Sequence, residues 1–241
     1  AVILGEFSPG EFVAFMSYLT MLRWPVMGMG FTVNMLQRGA ASLGRINAIL
    51  REKPEITSEP NGKTTLPDSS IRISNLSVKY EYSAEPALRD IELSLDSGKT
   101  LGILGRTGSG KTTLVRLLPR LIDPPEGSVF IGGVDVHDYD LESLRRSVGF
   151  VPQDTFLFSA TIKENLAFGK PGAGDEELRR ASAYSTIDRE LETFPRGWDT
   201  EVGERGLTLS GGQKQRVAIS RAMLIDPDIL ETLEDFRETA H

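Results

Sequence analysis

The feature that most constrains this chain is a glycine-rich loop, Gly105-Arg106-Thr107-Gly108-Ser109-Gly110-Lys111-Thr112. The loop follows the apolar segment 100–104, which predicts a short strand, and precedes residues 113–121, which predict a helix. Glycines at these spacings let successive backbone N–H groups turn inward around an anion, and a helix N-terminus adds positive charge. The sequence therefore predicts a phosphate-binding loop (P-loop) within an α/β fold.

Two side chains at the end of the P-loop have predicted roles of their own. Lys111 is expected to reach the β- and γ-phosphates of a nucleotide, and the hydroxyl of Thr112 is expected to ligate Mg²⁺. The other candidate nucleotide-binding residues of this loop are Gly105, Arg106, Thr107, Gly108, Ser109, Gly110 and Thr113. A P-loop alone does not distinguish kinases, GTPases and transport ATPases.

A second glycine motif, Leu209-Ser210-Gly211-Gly212-Gln213, precedes a segment with helical spacing of apolar residues. Ser210 and the two glycines at a helix start predict a second place where backbone N–H groups can receive an anion. Taken alone, a Ser-Gly-Gly sequence indicates a flexible turn equally well.

Composition excludes several other classes of protein. The 241 residues carry a net charge of −7, which argues against a nucleic-acid binder with a basic surface. The chain has no cysteine, so disulfides, thiolate catalysis and cysteine-ligated zinc are excluded. It has two histidines, too few for a His-rich metal site. No charged n-region precedes an apolar run at the start, so no secretory signal is expected.

The N-terminal part differs in character from the rest of the chain. Between Phe12 and Gln37 the only charged residue is Arg23. Because about 20 mostly apolar residues suffice to cross a membrane, this stretch predicts a membrane-spanning helix, with a buried soluble helix as the alternative. Ser8, Pro9 and Glu11 predict a capped helix start. Helical spacing continues to Leu50, so the helix is expected to extend beyond the membrane as a cytoplasmic rod.

Domain boundaries follow from changes in pattern. Residues 1–53 are expected to form the long helix, and residues 54–70 a linker rich in Pro, Ser and Thr. The remainder, 71–241, is expected to fold as an α/β domain, with strands at 71–80 and 88–95.

The order of these motifs resembles the ATP-binding-cassette (ABC) transporters, in particular the exporter type. The resemblance implies a P-loop NTPase cassette with a mixed sheet and a helical subdomain, preceded by the last transmembrane helix of an exporter. It also implies binding of ATP and Mg²⁺, a membrane location with the cassette in the cytoplasm, and pairing with a second half-transporter as a homo- or heterodimer. In this family the P-loop of one cassette faces the Leu-Ser-Gly-Gly-Gln motif of the other.

The same resemblance assigns further residues. Tyr80 matches the aromatic residue that stacks on adenine, with Tyr82 as the nearby alternative. Gln153 matches the glutamine that ligates Mg²⁺ and positions the attacking water. With Lys111, Gln153 is the candidate catalytic residue. Residues 200–206 resemble the exporter-specific loop that contacts the membrane domain.

The C-terminal segment departs from the family pattern. After Asp226-Pro227-Asp228 the family continues with an apolar strand ending in Asp-Glu, whereas here apolar residues recur at helical spacing from Ile229 to Phe236. The tail is therefore expected to be a helix, as if an internal segment had been removed, and neither Glu234-Asp235 nor His241 is accepted as the family's acidic pair or switch histidine. Three functions remain open: the ATP-binding half of an exporter, a catalytically silent nucleotide-binding fragment, and a non-transport P-loop ATPase or kinase.

Overall fold

The computed structural model describes residues 8–203 and 209–233. The chain divides into two compact units, Ala1–Glu55 and Ile56–His241. The first unit is built on one helix, α1 (Pro9–Arg51), which begins and ends close to the predicted positions. Its first turn is closed by the predicted capping box, in which the Ser8 hydroxyl accepts from the Glu11 N–H and the Glu11 carboxylate accepts from the Ser8 N–H.

The prediction that residues 12–37 cross a membrane is not supported. Within residues 8–203 and 209–233, no helix is both long and apolar enough to span a bilayer. Helix α1 has the length, at 43 residues. Its apolar run, however, is interrupted by Arg23 and by polar side chains such as Thr20 and Asn34, which lower its mean hydropathy.

The second unit begins with a four-stranded antiparallel sheet in the order β2-β1-β3-β4. Its strands are β1 (Ile71–Val78), β2 (Leu88–Leu95), β3 (Val129–Ile131) and β4 (Val134–Asp135). The first two confirm the predicted strands. Ile71 and Ile73 are buried, as are Leu76 and Val78, and an irregularity between Ile73 and Leu76 keeps all four on the covered face. Ile71 pairs with Leu95 on one side and Ile131 on the other, which places β1 inside the sheet.

Helix α2 (Lys111–Leu117) follows the P-loop, and it is shorter than the predicted helix. Its Leu117 is fully buried in the same core cluster as Ile73 and Leu76 of β1. The buried Tyr139 closes the cluster, with its hydroxyl donating to the Ile131 carbonyl at 2.8 Å. The P-loop thus precedes a helix that the sheet core anchors.

Residues 229–232 form a strand, so the helix predicted there is wrong; residues 234–241 lie outside the described part. Strand β6 (Ile229–Thr232) pairs in parallel with β5 (Val148–Val151). The Leu233 N–H adds a hydrogen bond to the Val151 carbonyl at 3.0 Å. Backbone pairing with β5 overrides the helical spacing, because pairing satisfies the N–H and C=O groups of the tail inside the fold. A strand paired with β5 therefore does precede Glu234-Asp235 in the chain, although those two residues lie outside the described part.

The strand expected at residues 100–104 is also wrong. In the described structure these residues join neither the four-stranded sheet nor the β5–β6 pair. Leu104 remains 80% exposed. High β-propensity is insufficient here because a strand needs a partner edge for its backbone hydrogen bonds.

A helical subdomain completes the second unit. Helix α3 (Leu141–Ser147) precedes β5. The helices of the subdomain follow β5 and are α4 (Ile162–Ala167), α5 (Asp175–Ser185), α6 (Ile187–Leu191) and α7 (Gly211–Met223). A separate core cluster joins α4 to α7 through fully buried Ile162, Leu166, Ile187 and Val217. The predicted α/β fold with a helical subdomain is therefore present, although the described strands form one antiparallel sheet and one parallel pair rather than a single mixed sheet.

Candidate nucleotide-binding site

The backbone of the P-loop has a shape that requires glycine. Gly108 has φ +82° and Gly110 has φ +90°, both in the left-handed region that side chains disfavour. A Cβ on Gly110 would lie 2.5 Å from the Ala87 carbonyl oxygen, so this position also needs the missing side chain for space. A Cβ on Gly105 would approach the Ser109 hydroxyl at 2.6 Å. The loop is closed by a turn in which the Ser109 N–H donates to the Arg106 carbonyl at 3.1 Å.

The Lys111 side chain folds back over the loop. Its Nζ donates to the Gly105 carbonyl at 2.5 Å and to the Arg106 carbonyl at 2.9 Å. In the described residues this ammonium group has only neutral carbonyls as partners, so no anion is paired with it. Together with the glycine cradle, this arrangement fits the phosphate group that the sequence predicts.

The two threonines that follow Lys111 differ in burial: Thr113 packs in the core, whereas Thr112 is partly exposed. Thr113 is buried, and its hydroxyl lies 2.9 Å from the Tyr80 hydroxyl. This hydrogen bond holds Tyr80, which is 42% exposed, beside the start of α2. Tyr82, the alternative aromatic residue, is 95% exposed. Thr112 stays partly exposed on the first turn of the helix. The structure therefore brings Tyr80 and the P-loop together, as the predicted nucleotide site requires.

Gln153 lies just beyond β5, after Pro152. Its side chain is exposed and makes no hydrogen bond within the described residues. With Thr112, it offers neutral oxygen ligands of the kind that Mg²⁺ accepts. In residues 8–203 and 209–233, no group of three or more His, Cys, Asp or Glu side chains is placed to hold a metal ion. These two residues would therefore supply only part of the ligand set that Mg²⁺ needs.

The second glycine motif forms the start of α7. The Ser210 hydroxyl accepts from the Gln213 N–H at 3.3 Å, and the Ser210 N–H donates to Gln213 Oε1 at 2.9 Å. This capping box uses both side chains to satisfy the helix terminus. Gly211 and Gly212 are exposed, and a Cβ on either would meet nothing within 4 Å. The glycines therefore leave open space at this helix start, which suits the approach of a partner surface.

Arg221 connects α7 to the segment that follows Gln153. Its guanidinium donates to the Asn165 carbonyl at 2.9 Å and to the Phe156 carbonyl at 3.2 Å. It also lies over the rings of Phe158 and Phe168 at 5.8 and 5.7 Å. Burial lowers the pKa of Arg221, yet the carbonyl oxygens compensate its charge. The helix that begins at Ser210 is thus fixed to the loop that carries Gln153.

The predicted site residues form two groups rather than one. The P-loop and Tyr80 lie on the sheet side, and residues 209–213 lie in the helical subdomain. No hydrogen bond or ion pair joins the two groups in the described residues, which is compatible with motifs that meet only across two cassettes. Of the loop predicted to contact a membrane domain, residues 204–206 lie outside the described part, as does His241.

The burial of Glu231 was not predicted from the sequence. Glu231 of β6 is 7% exposed, and neither of its carboxylate oxygens has a hydrogen-bond partner. Burial raises the pKa of Glu231 to about 8. The helical interpretation of the tail obscured this residue, whereas a strand pattern of Ile229, Glu231 and Leu233 on one face would have placed it in the core.

Comparison with known proteins agrees with this geometry. A sequence profile described as ABC transporter matches residues 88–232. A probable multidrug resistance ABC transporter ATP-binding/permease protein of Bacillus subtilis is 42% identical over 95% of this chain and 39% of its own length. An ATP-dependent lipid A-core flippase of Desulfotalea psychrophila is 41% identical over 95% of this chain and 40% of its own.

Solved structures give the same result. A bacterial Atm1-family ABC exporter with ATP bound superposes with a TM-score of 0.75 at 36% identity, over 92% of this chain and 39% of that one. The chain thus spans about two fifths of the length of the proteins it matches. Because the family profile covers more than half of the chain, and exporter ATP-binding/permease proteins are similar along nearly all of it, the chain belongs to the ABC transporter family.

Proposed function

We propose that this chain binds Mg-ATP at the P-loop and forms the ATP-binding half of an exporter that couples ATP to substrate movement across a membrane. The single observation that carries the proposal is the geometry of the loop. Its glycines adopt positive φ around the Lys111 ammonium, whose only partners in the described structure are two neutral carbonyls. An anionic phosphate is a stronger partner for that ammonium than either carbonyl.

Each side chain of the proposed ATP site has a role set by its position. Lys111 exchanges the carbonyls for β- and γ-phosphate oxygens, and backbone N–H groups of residues 106–110 surround the phosphates. Tyr80 receives the adenine on its exposed ring. Thr112 and Gln153 are the proposed protein ligands of Mg²⁺, which neutralises charge developing on the phosphates. Gln153 also positions the attacking water.

We further propose that ATP hydrolysis by this chain is slow. Hydrolysis needs a carboxylate that orients and polarises water near the γ-phosphate, and such general-base assistance is worth roughly 10²–10⁴ in rate. In the described residues β6 supplies only Glu231, which is buried and has a pKa of about 8. At neutral pH this carboxyl is mostly protonated and therefore a poor base.

The working unit is proposed to be a pair of cassettes. The exposed glycines at the start of α7 offer one half of an ATP site, and the P-loop offers the other. The relatives are described as ATP-binding/permease proteins, which supports a cassette on the cytoplasmic side of a membrane domain.

The experiment that tests ATP binding compares wild type with Lys111→Ala, using a fluorescent ATP analogue and Mg²⁺. Loss of the charge-assisted contacts should weaken affinity about tenfold to a hundredfold. Lys53→Ala, at an exposed lysine outside the P-loop, is the matched control and should bind as wild type does. Equal affinity of Lys111→Ala and wild type, with both folded by circular dichroism, would refute the assignment.

Two further measurements separate the candidate functions. Turnover at saturating Mg-ATP should be slow and unchanged in Glu231→Gln and Glu234→Gln; rapid turnover abolished by either change would show that the tail builds a catalytic site. Reconstitution of the longer exporter that contains this sequence should give ATP-dependent movement of substrate. Phosphorylation of a small molecule without transport would instead support a kinase.

A further inference from the structure

A cavity of about 370 Å³ lies within the second unit, between the four-stranded sheet, α2 and β6. Apolar side chains form just over half of its wall, including Ile73 and Leu93 from the sheet, Leu114 from α2 and Ile229 from β6. A space of this size exceeds the voids of an ordinary close-packed core, and it is large enough for a small organic molecule.

One ionisable side chain projects from β6 into this apolar surface. Glu231 lines the cavity, and only 7% of its surface is exposed. Pairing of its backbone with Phe150 in the β5–β6 ladder fixes the position of its Cα beside the cavity. Neither carboxylate oxygen has a hydrogen-bond partner. A buried carboxylate without a partner costs free energy that a suitable ligand would recover.

The other charged residues that line the cavity are Lys99, Lys111 and Asp228. None of them is hydrogen-bonded or ion-paired to Glu231, and Lys111 is held by the Gly105 and Arg106 carbonyls. The carboxyl therefore lacks both a cation and donors. A metal ion would need several such ligands, whereas no cluster of three His, Cys, Asp or Glu is found in the part of the chain that the structure describes.

We propose that this cavity binds a small, largely apolar molecule that carries one amidinium or primary ammonium group, with Glu231 as its counter-ion. The apolar body of the ligand replaces the empty space beside Ile73, Leu93 and Leu114. Its N–H groups donate to the two carboxylate oxygens, and a planar amidinium matches both oxygens at once. The cavity shares Lys111 with the proposed ATP site, whereas Tyr80 and Gln153 do not line it.

Benzamidine is the probe for this site, because it joins an amidinium to a flat apolar ring. Isothermal titration of the full chain at pH 8.5 should show binding of benzamidine. Benzamide, the neutral analogue of the same shape, should bind at least tenfold more weakly. Glu231→Gln keeps the shape of the side chain and removes its charge, so it should weaken benzamidine binding at least tenfold. Glu126→Gln, at an exposed glutamate, should leave the affinity unchanged.

The pH dependence provides a second readout that survives if Glu231→Gln fails to fold. Because the pKa of Glu231 is about 8, ionising it for the ligand costs more at lower pH. Benzamidine remains protonated throughout, so its affinity should rise about tenfold per pH unit from 6 to near 8 and then level off. Binding that is equal for benzamidine and benzamide, that is independent of pH, or that persists in folded Glu231→Gln would overturn the proposal. Absence of benzamidine binding at millimolar concentration would overturn it as well.

Discussion

Replacement of Glu231 by glutamine is expected to stabilise the protein at neutral pH. The carboxyl lies in the core with neither oxygen hydrogen-bonded, and burial raises its pKa from 4.5 to about 8. In the unfolded chain the group ionises above pH 4.5 and gains hydration, whereas in the folded chain it stays protonated until pH 8. The unfolded state then binds fewer protons than the folded state, so stability falls as pH rises through this window.

The magnitude follows from the width of the window. Each pH unit between the two pKa values is worth about 1.4 kcal/mol, so at pH 7 the carboxyl costs the fold about 3 kcal/mol. Glutamine does not ionise, and its buried amide replaces a buried carboxylic acid of similar polarity and shape. Glu231→Gln should therefore raise the free energy of unfolding by about 3 kcal/mol at pH 7 and by close to zero at pH 4.5.

Urea denaturation followed by circular dichroism measures this difference at both pH values. The matched control is Glu126→Gln, which removes an exposed carboxylate and should change stability by less than about 0.5 kcal/mol. A gain of equal size at pH 4.5 and pH 7 would refute the ionisation argument, since the effect would then come from packing. No gain at pH 7 would show that Glu231 finds a partner or solvent in the folded protein.

Three further changes test the geometry of the P-loop and the two cores. Gly110→Ala should weaken ATP binding at least tenfold, because the new Cβ would collide with a backbone carbonyl. At Gly108 a Cβ has open space, so Gly108→Ala should cost only the strain of positive φ, about 1 kcal/mol of stability. Equal ATP affinities of the two variants would contradict this reading. Tyr139→Phe should cost about 1–3 kcal/mol in urea denaturation, since a buried carbonyl loses its donor, and an unchanged midpoint would show that the bond contributes nothing. Arg221→Ala should destabilise the helical subdomain by a similar amount through the carbonyls it leaves unpaired, and unaltered hydrogen exchange in α4 and α7 would argue against that role.

Local patterns in the sequence were sufficient for several elements. The capping box of Ser8 and Glu11 defines the start of α1, because each of its hydrogen bonds joins residues only three apart. The apolar residues at near-alternate positions in 71–78 and 88–95 were enough to predict β1 and β2. The P-loop is likewise local, since its glycines and Lys111 interact within eight consecutive residues.

Tertiary contacts decided the elements that sequence reasoning missed. Residues 100–104 have a strand-like composition, yet they pair with nothing in the described structure. Residues 229–232, although they begin a helically spaced segment, form β6 because β5 provides an edge. The burial of Glu231 follows from that pairing, as does the raised pKa that the residue type alone does not predict. A strand is stabilised by its partner as much as by its own residues. Sequence therefore determined the phosphate loop and its family, whereas only the tertiary structure placed an unpaired carboxyl beside an apolar cavity, because burial depends on residues distant in the chain.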